Sequence, residues 1–343
     1  MSFMKKFNTD LFNPLLYTRK YHEKDISELK FLITGGAGFI GSNLAEYLIK
    51  YQAGKIRVLD NLSNGYIENI QAFIDADKIE FINGDIRDIE TCRTAVKGID
   101  YVFHQAALGS VPRSISDPIT TNDVNISGFL NMLISSNESE SVRRFIYAAS
   151  SSTYGDSEEL PKKEENIGNP LSPYAVTKLT NELYASVFSK VYGIETIGLR
   201  YFNVFGPKQS PDNPYASVIP LFIKSALNKK APIIYGDGQT SRDFTFIENV
   251  IQANMKSLFS NVNNDLVSNV ACGKQISLTE LWELIAINFD CQGIKPIYSK
   301  ERKGDIKHSL ASLELAKNRL GYNPYYSVEQ GINIMRQIFL KSI

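Results

Sequence analysis

Short apolar runs and longer amphipathic stretches alternate along most of this chain. The run Leu29 to Ile33, with its Phe and Ile, predicts a buried parallel strand, and an amphipathic helix through Leu44, Leu48 and Ile49 follows it. The segments RVLDNLSNG, KIEFINGDIRD, IDYVFHQAA, RRFIYAASSS and IETIGLRYFNVFG each carry a strand-like run that ends in small or polar residues. Helix-like stretches of ordinary length separate them. Alternating strand and helix over residues 31–204 predict a doubly wound parallel α/β sheet. Beyond Phe205 the rhythm changes. GPKQSPDNPYASVIP is proline-rich and loop-like, and a helix is predicted from Pro220 to about Asn228. Strand, loop and helix return in APIIYGDGQTSRDFTFIENV, an amphipathic helix covers 278–290, and residues 310–343 are mostly helical. The expected division is a partly helical extension over 1–28, a large unit over 29–204, and a smaller α/β unit over 205–343 interleaved with it.

Gly35, Gly36, Gly38 and Gly41 lie between the first strand and the first helix. In that context they form a dinucleotide-binding fingerprint. The early glycines let the chain turn tightly and let the backbone approach a pyrophosphate, and Gly41 lets helix and strand pack closely. The helix N-terminus then offers N–H groups and a positive dipole end to the phosphates. Asp60 lies 19 residues after Gly41, at the end of the second strand, where a carboxylate would bond the adenosine ribose hydroxyls. Its charge would repel a 2′-phosphate, which favours NAD over NADP. Arg57 in the same strand is a weak counter-argument, and a plain strand-end cap is the alternative role for Asp60. Asp85 and Ile86 follow the third strand, where they could hold the adenine edge. Ala106 and Ala107 end the fourth and are small enough to admit a cofactor. This is a Rossmann arrangement, in which ligands gather at the carboxyl ends of the strands.

At 343 residues the chain can bury a large core, and Lys+Arg and Asp+Glu balance at 37 each. That balance removes the main electrostatic argument for a nucleic-acid or membrane-surface protein. No window approaches the ~18 consecutive apolar residues of a membrane span, and no apolar run follows Lys5 and Lys6 as in a signal peptide. Cys92, Cys272 and Cys291 are far apart and odd in number, which fits a reducing cytoplasm. His22, His104 and His308 are too scattered to suggest a metal site.

The stretch SPYAVTKL carries the chemistry. Ser172 is a good N-cap, Pro173 suits a first helical turn, and Tyr174 and Lys178, four residues apart, share one helix face. This pair is either an exposed aromatic beside a solvated lysine, or a phenol whose proton affinity is lowered by an ammonium.

Taken together, TGGAGFIGSN, LDNLSNG, GDIRD, HQAA, SSSTYGD, SPYAVTK, LRYFNVFGP, YGDGQTSRDF and RKGDIKHSLA resemble the extended short-chain dehydrogenase/reductases, and within them the nucleotide-sugar 4-epimerases. The likeness spans nearly all of residues 29–325. It implies NAD held by Gly35, Gly38, Phe39, Ile40, Gly41, Asp60, Asn61, Ser63, Gly65, Asp85, Ile86, Gln105, Ala106, Ala107, Tyr174, Lys178 and Tyr201. It implies Tyr174 as the catalytic phenol, Lys178 on the nicotinamide ribose lowering the phenol's pKa, and Ser150 on the sugar 4-oxygen with Ser151 beside it. Asn203, Arg242 and Arg302 would hold the UDP phosphates, Asp305 the uridine ribose, and Val218 and Tyr235 further parts of the nucleotide. Phe202 would lie near the nicotinamide. HQAALGSVPRSISDP resembles the bacterial epimerases of UDP-N-acetylhexosamines and their uronic acids, with Gly109 and Ser110 flanking the sugar. The helices of roughly 118–137 and 173–191 resemble a homodimer contact.

The implied chemistry is proton removal from the sugar 4-hydroxyl as hydride leaves C4 for NAD, rotation of the 4-keto sugar, and hydride return to its other face. A tyrosine titrates near 10, so work near neutral pH needs about 4 kcal/mol of preferential phenolate stabilisation. Serine at Ser309 leaves room beside the sugar's 2-substituent, where epimerases restricted to glucose and galactose tend to have tyrosine. This points to UDP-GlcNAc and UDP-GalNAc. A carboxylate at C6, with Arg113 as its partner, stays open. A 4,6-dehydratase would need Thr-Asp-Glu where this chain has Ser150, Ser151 and Ser152. A UDP-uronate decarboxylase usually has an acid near the same place, and a NAD-sensing regulator would have lost the Tyr/Lys pair.

Overall fold

The computed structural model describes residues 11–212, 216–301 and 306–341. Six strands follow one another through the first two hundred residues: β1 (Lys30–Thr34), β2 (Lys55–Asp60), β3 (Glu80–Asn83), β4 (Tyr101–His104), β5 (Arg144–Ser150) and β6 (Glu195–Tyr201). The short strands β7 (Val204–Phe205), β8 (Ile233–Tyr235), β9 (Ser241–Asp243) and β10 (Thr245–Phe246) come next, then β11 (Asp265–Val270), β12 (Gln275–Ser277) and β13 (Ile297–Ser299). The central sheet is parallel, in the order β11-β6-β5-β4-β1-β2-β3. It is the doubly wound Rossmann sheet that the alternation predicts. Its seventh strand, β11, was not legible, because it comes from the second half of the chain. Apolar residues buried on both faces, Phe31, Ile33, Val58 and Phe103 in one core and Leu32, Leu59, Val102 and Phe145 in the other, explain the run-like rather than alternating pattern.

Three helices matter for the site. Helix α1 (Phe39–Lys50) leaves the glycine loop, where Gly35 has φ +67° and a Cβ on Gly41 would stand 2.3 Å from the Gly35 carbonyl oxygen. Only glycine fits such a crossing. Helix α2 (Pro173–Tyr192) starts as predicted: the Ser172 hydroxyl accepts from Ala175 N at 3.2 Å and proline stands in the first turn. It ends on Gly193 at φ +83°. Helix α3 (Ile247–Leu258) packs against β5, β6 and β11.

One local expectation fails over the described part of the extension, and the mostly helical C-terminal stretch is as expected, with one interruption. Residues 11–28 contain no helix; Leu16, Tyr17, Tyr21 and Ile26 are buried, and side chains of α1 satisfy much of the backbone. The C-terminal stretch is helical over Glu314–Leu320 and Val328–Lys341, but Gly321 at φ +68° ends the first of these and an irregular link follows. Among the described residues no helix is long and apolar enough to cross a membrane.

Candidate active site

Three neighbouring cavities lie along the carboxyl edge of the sheet. The first, about 330 Å³, is floored by the glycine loop and α1's first turn. Gly35, Gly38, Phe39, Ile40, Gly41, Asp60, Asn61, Ser63, Gly65, Asp85, Ile86, Gln105, Ala106 and Ala107 all line it. The Gly38 N-cap makes no side-chain capping bond, so α1 presents first-turn N–H groups to this cavity. Asp60 is buried; one carboxylate oxygen accepts from Ala37 N at 2.9 Å and the other from Leu62 N at 2.8 Å. It therefore ties the glycine loop to the β2 turn while still lining the cavity. The cap role and the ribose role are compatible, since a carboxylate has more lone pairs than these two bonds use. Glycine cradle, open helix end and strand-end carboxylate fit a dinucleotide without a 2′-phosphate. Arg87 donates to both carboxylate oxygens of Asp85 and Asn61 Nδ2 to Oδ2, and these bonds draw its carboxyl down to about 2.

The second cavity, about 820 Å³, brings together Ser150, Ser151, Tyr174, Lys178, Tyr201, Asn203, Arg242, Ser309 and Gly109, all expected at the site. It shares Phe39, Ile40, Gln105, Ala107 and Gly109 with the first. The Ser150 hydroxyl bonds the Tyr174 phenol and also accepts from Ser152 N and Oγ at 3.1 and 2.9 Å. Lys178, 4% exposed, donates to the Ala148 carbonyl at 2.8 Å. The tyrosine is tuned differently from the expectation. Burial holds Tyr174 above the ordinary phenol range, and its bond with Ser150, rather than Lys178, draws it part of the way back. Burial also lowers Lys178 to about 8, partly opposed by Glu182. Within the protein alone, desolvation outweighs charge at both groups.

The third cavity, about 540 Å³, continues from Asn203 and Arg242 to Val218 and Tyr235. Asn203 stands at φ +38° and donates to the Asp243 carbonyl at 3.0 Å, beside Arg242. Ser309 N donates to the Ser241 carbonyl at 3.1 Å, so the segment bearing Ser309 lies along β9. Arg302 and Asp305 lie outside the described residues. Ser110 spends its hydroxyl capping the helix Val111–Ser116, accepting from Arg113 N, while Gly109, Val111 and Pro112 line the cleft beside it. Phe202 lines the cleft but is fully buried against Tyr154, Ala271 and Ala311.

Some lining residues were missed. Lys208 and Gln209 border the first cavity, and Gln209 the second as well. They belong to GPKQSP, set aside as a loop although it directly follows a strand's carboxyl end, where ligands bind. Lys162 is buried and lines the second cavity; only tertiary pairing with residues 310–312 brings it there.

A family profile described as GDP-mannose 4,6 dehydratase matches residues 32–335. A UDP-glucose 4-epimerase of Mycolicibacterium smegmatis is 32% identical over 89% of this chain and 96% of its own. The solved UDP-N-acetylglucosamine 4-epimerase of Methanobrevibacter ruminantium, in complex with UDP-N-acetylmuramic acid, is 38% identical over 92% of this chain and 99% of its own, with a TM-score of 0.86. A UDP-glucuronic acid 4-epimerase variant from Bacillus cereus, holding NAD and UDP-4-deoxy-4-fluoro-glucuronic acid, is 29% identical over 92% of this chain and 100% of its own, with a TM-score of 0.82. The chain belongs to the extended short-chain dehydrogenase/reductase family of nucleotide-sugar epimerases and dehydratases. Within it, this is a nucleotide-sugar 4-epimerase, and its cofactor is NAD.

Proposed function

We propose that the protein interconverts UDP-GlcNAc and UDP-GalNAc. The observation that carries this reading is Ser309, a small side chain on the wall of the 820 Å³ cavity that also contains Tyr174. Gly109 lines the same cavity, and a Cβ built on it meets nothing within 4 Å. Both features leave room for an acetamido group. In this reading Tyr174 moves the proton at the sugar 4-oxygen, Ser150 orients that oxygen and the phenol, and Lys178 binds the nicotinamide ribose. Bound NAD supplies the hydride acceptor and a positive charge beside the phenol. Arg242 and Asn203 hold the diphosphate, and Val218 and Tyr235 the nucleoside side. Arg302 and Asp305 complete the clamp by family likeness. A 4-epimerase of UDP-GlcNAc uronic acid is the second reading, favoured by the likeness to UDP-glucuronic acid 4-epimerases; Arg113, which donates to Asn64 Oδ1 at 3.2 Å, is not among the residues lining the sugar cavity.

Proton NMR of the purified protein with UDP-GlcNAc, and separately with UDP-glucose, tests this. UDP-GalNAc should form without added nicotinamide, and UDP-galactose far more slowly. Ser309→Tyr should abolish turnover of the acetylated sugar and keep that of UDP-glucose. Equal loss on both, or turnover of UDP-GlcNAc uronic acid alone, would refute the assignment.

The working unit we propose is a cytoplasmic homodimer, consistent with three free cysteines. Helix α2 exposes Leu183, Val187 and Val191 at 61%, 52% and 65%, a stripe at helical spacing, and Ile119 on a neighbouring helix is 74% exposed. Light scattering should give twice the chain mass, and Leu183→Arg should halve it. A monomeric unaltered protein would end this part of the proposal.

A further inference from the structure

Helix α1 carries a stripe of polar and aromatic side chains beyond the first turn that lines the cofactor cavity. Asn43, Glu46, Tyr47, Lys50 and Tyr51 follow the i, i+3, i+4, i+7, i+8 pattern of one helix face. All five hold residues 11–22. Lys50 Nζ donates to the Leu16 carbonyl at 2.8 Å, and Tyr51 Oη to that of Tyr17 at 2.9 Å. Tyr21 N donates to Tyr47 Oη at 2.7 Å, and Asn13 N to Glu46 Oε1 at 3.3 Å. The Tyr17 hydroxyl, fully buried, donates to Asn43 Oδ1.

Two of these five residues have a second set of partners. Asn43 Nδ2 donates to the Pro207 carbonyl at 3.2 Å and to that of Phe39 at 2.7 Å. Glu46 Oε2 pairs with Lys208 Nζ at 2.8 Å, with side chains only 4% and 10% exposed. Pro207 and Lys208 open the loop whose Lys208, Gln209 and Ser210 line the cofactor cavity opposite Phe39 and Gly38. One face of α1 therefore joins the N-terminal segment on one side to both walls of the cofactor cleft on the other.

We infer that Tyr17, Asn43 and Glu46 are positioning residues for cofactor retention. The N-terminal segment braces α1, and the Glu46–Lys208 pair fastens the loop at 207–210 across the cleft. An ion pair this buried is poorly screened by solvent, and removing one charge leaves the other without compensation. The loop then loses its charged tie to α1 and keeps only the hydrogen bonds of Asn43 Nδ2 to the Pro207 carbonyl at 3.2 Å and of Lys208 Nζ to the Ser42 carbonyl at 3.3 Å, while the glycine cradle stays intact. Epimerisation returns NAD to its starting state in every cycle, so a slow cofactor release is of direct use to the enzyme. The inference rests on the cofactor assignment and not on the identity of the sugar.

The test compares full-length variants for NAD retained after rapid desalting, with the released cofactor quantified over time. Glu46→Gln keeps the packing and removes the charge; its NAD dissociation rate should rise at least about tenfold, where each tenfold corresponds to ~1.4 kcal/mol. Tyr17→Phe removes one hydrogen bond and should give a smaller rise in the same direction. Added NAD should restore turnover in both. The control is Arg144→Met, which breaks the Arg144–Glu195 pair (2.6 Å) remote from the cleft; it should lower the melting temperature and leave NAD retention unchanged. Unchanged retention in Glu46→Gln would overturn the inference. So would equal loss of NAD in Arg144→Met, because the effect would then follow global stability alone.

Discussion

Tyr174→Phe should reduce kcat by a factor of about 10²–10⁴, the range that a positioned acid–base group contributes. Bound NAD and overall fold should persist, since the ring stays and only the hydroxyl bonded to Ser150 is lost. Anomeric NMR of product formation with cofactor content measured in parallel would check this, and a loss below tenfold would remove Tyr174 from the proton path. The pH dependence sharpens the prediction. A base acts in its deprotonated form, so kcat should rise with pH through the titration of the phenol. Burial holds that phenol high and the Ser150 bond lowers it. Ser150→Ala should therefore shift the rising limb to higher pH; an unmoved limb would separate Ser150 from the phenol's tuning.

Lys178→Met should lower activity at least ~10²-fold and at the same time raise the melting temperature. The activity loss follows from the acid–base role of the Tyr174 site that it supports. The gain in stability follows from burial, which moves the lysine from 10.5 to about 8. The folded state thus binds fewer protons than the unfolded chain between about 8 and 10.5. The resulting penalty is present in full below pH 8 and relieved as pH rises through that window. At about 1.4 kcal/mol per pH unit the penalty is about 3 kcal/mol, less ~1 kcal/mol for the lost Ala148 hydrogen bond. A net gain of this size corresponds to a few degrees. Thermal unfolding at pH 7 should show the rise, and it should shrink at pH 10. A fall in melting temperature at neutral pH would mean that the lysine is structural first. Its retention despite the penalty is what a functional site predicts.

Much of the fold was legible because its signals are local. A Ser-Pro pair starts α2 through one hydroxyl and one fixed dihedral, so Ser172 could be read as a cap before any packing was known. The glycine loop was legible for a similar reason: Gly35 and Gly41 stand where a Cβ would strike backbone. Strand β11 was not legible as part of the sheet. No strand is read from the sequence at Asp265–Val270, and nothing local says that this segment pairs with β6 across more than sixty residues. The extension at 11–28 failed in the opposite way. Its polar, mixed composition hides four buried apolar residues, because backbone groups of Asn13, Leu16, Tyr17 and Tyr21 are held by side chains of the distant α1 as well as by its own turns.

By itself the sequence determined the class: strand, glycine cradle and helix at β1, the acid at Asp60, and Tyr174 and Lys178 on one helical face. Each depends on spacing within a turn or at a strand end, where geometry follows directly from residue order. Only the tertiary structure decided how those groups are tuned and joined. It buried Tyr174 and Lys178, so that desolvation raises the phenol and lowers the lysine. It also brought Ser309 into the cavity that Tyr174 lines and Lys208 to Glu46. Those outcomes depend on solvent exclusion and on contacts between segments far apart in the chain, and no local pattern encodes either.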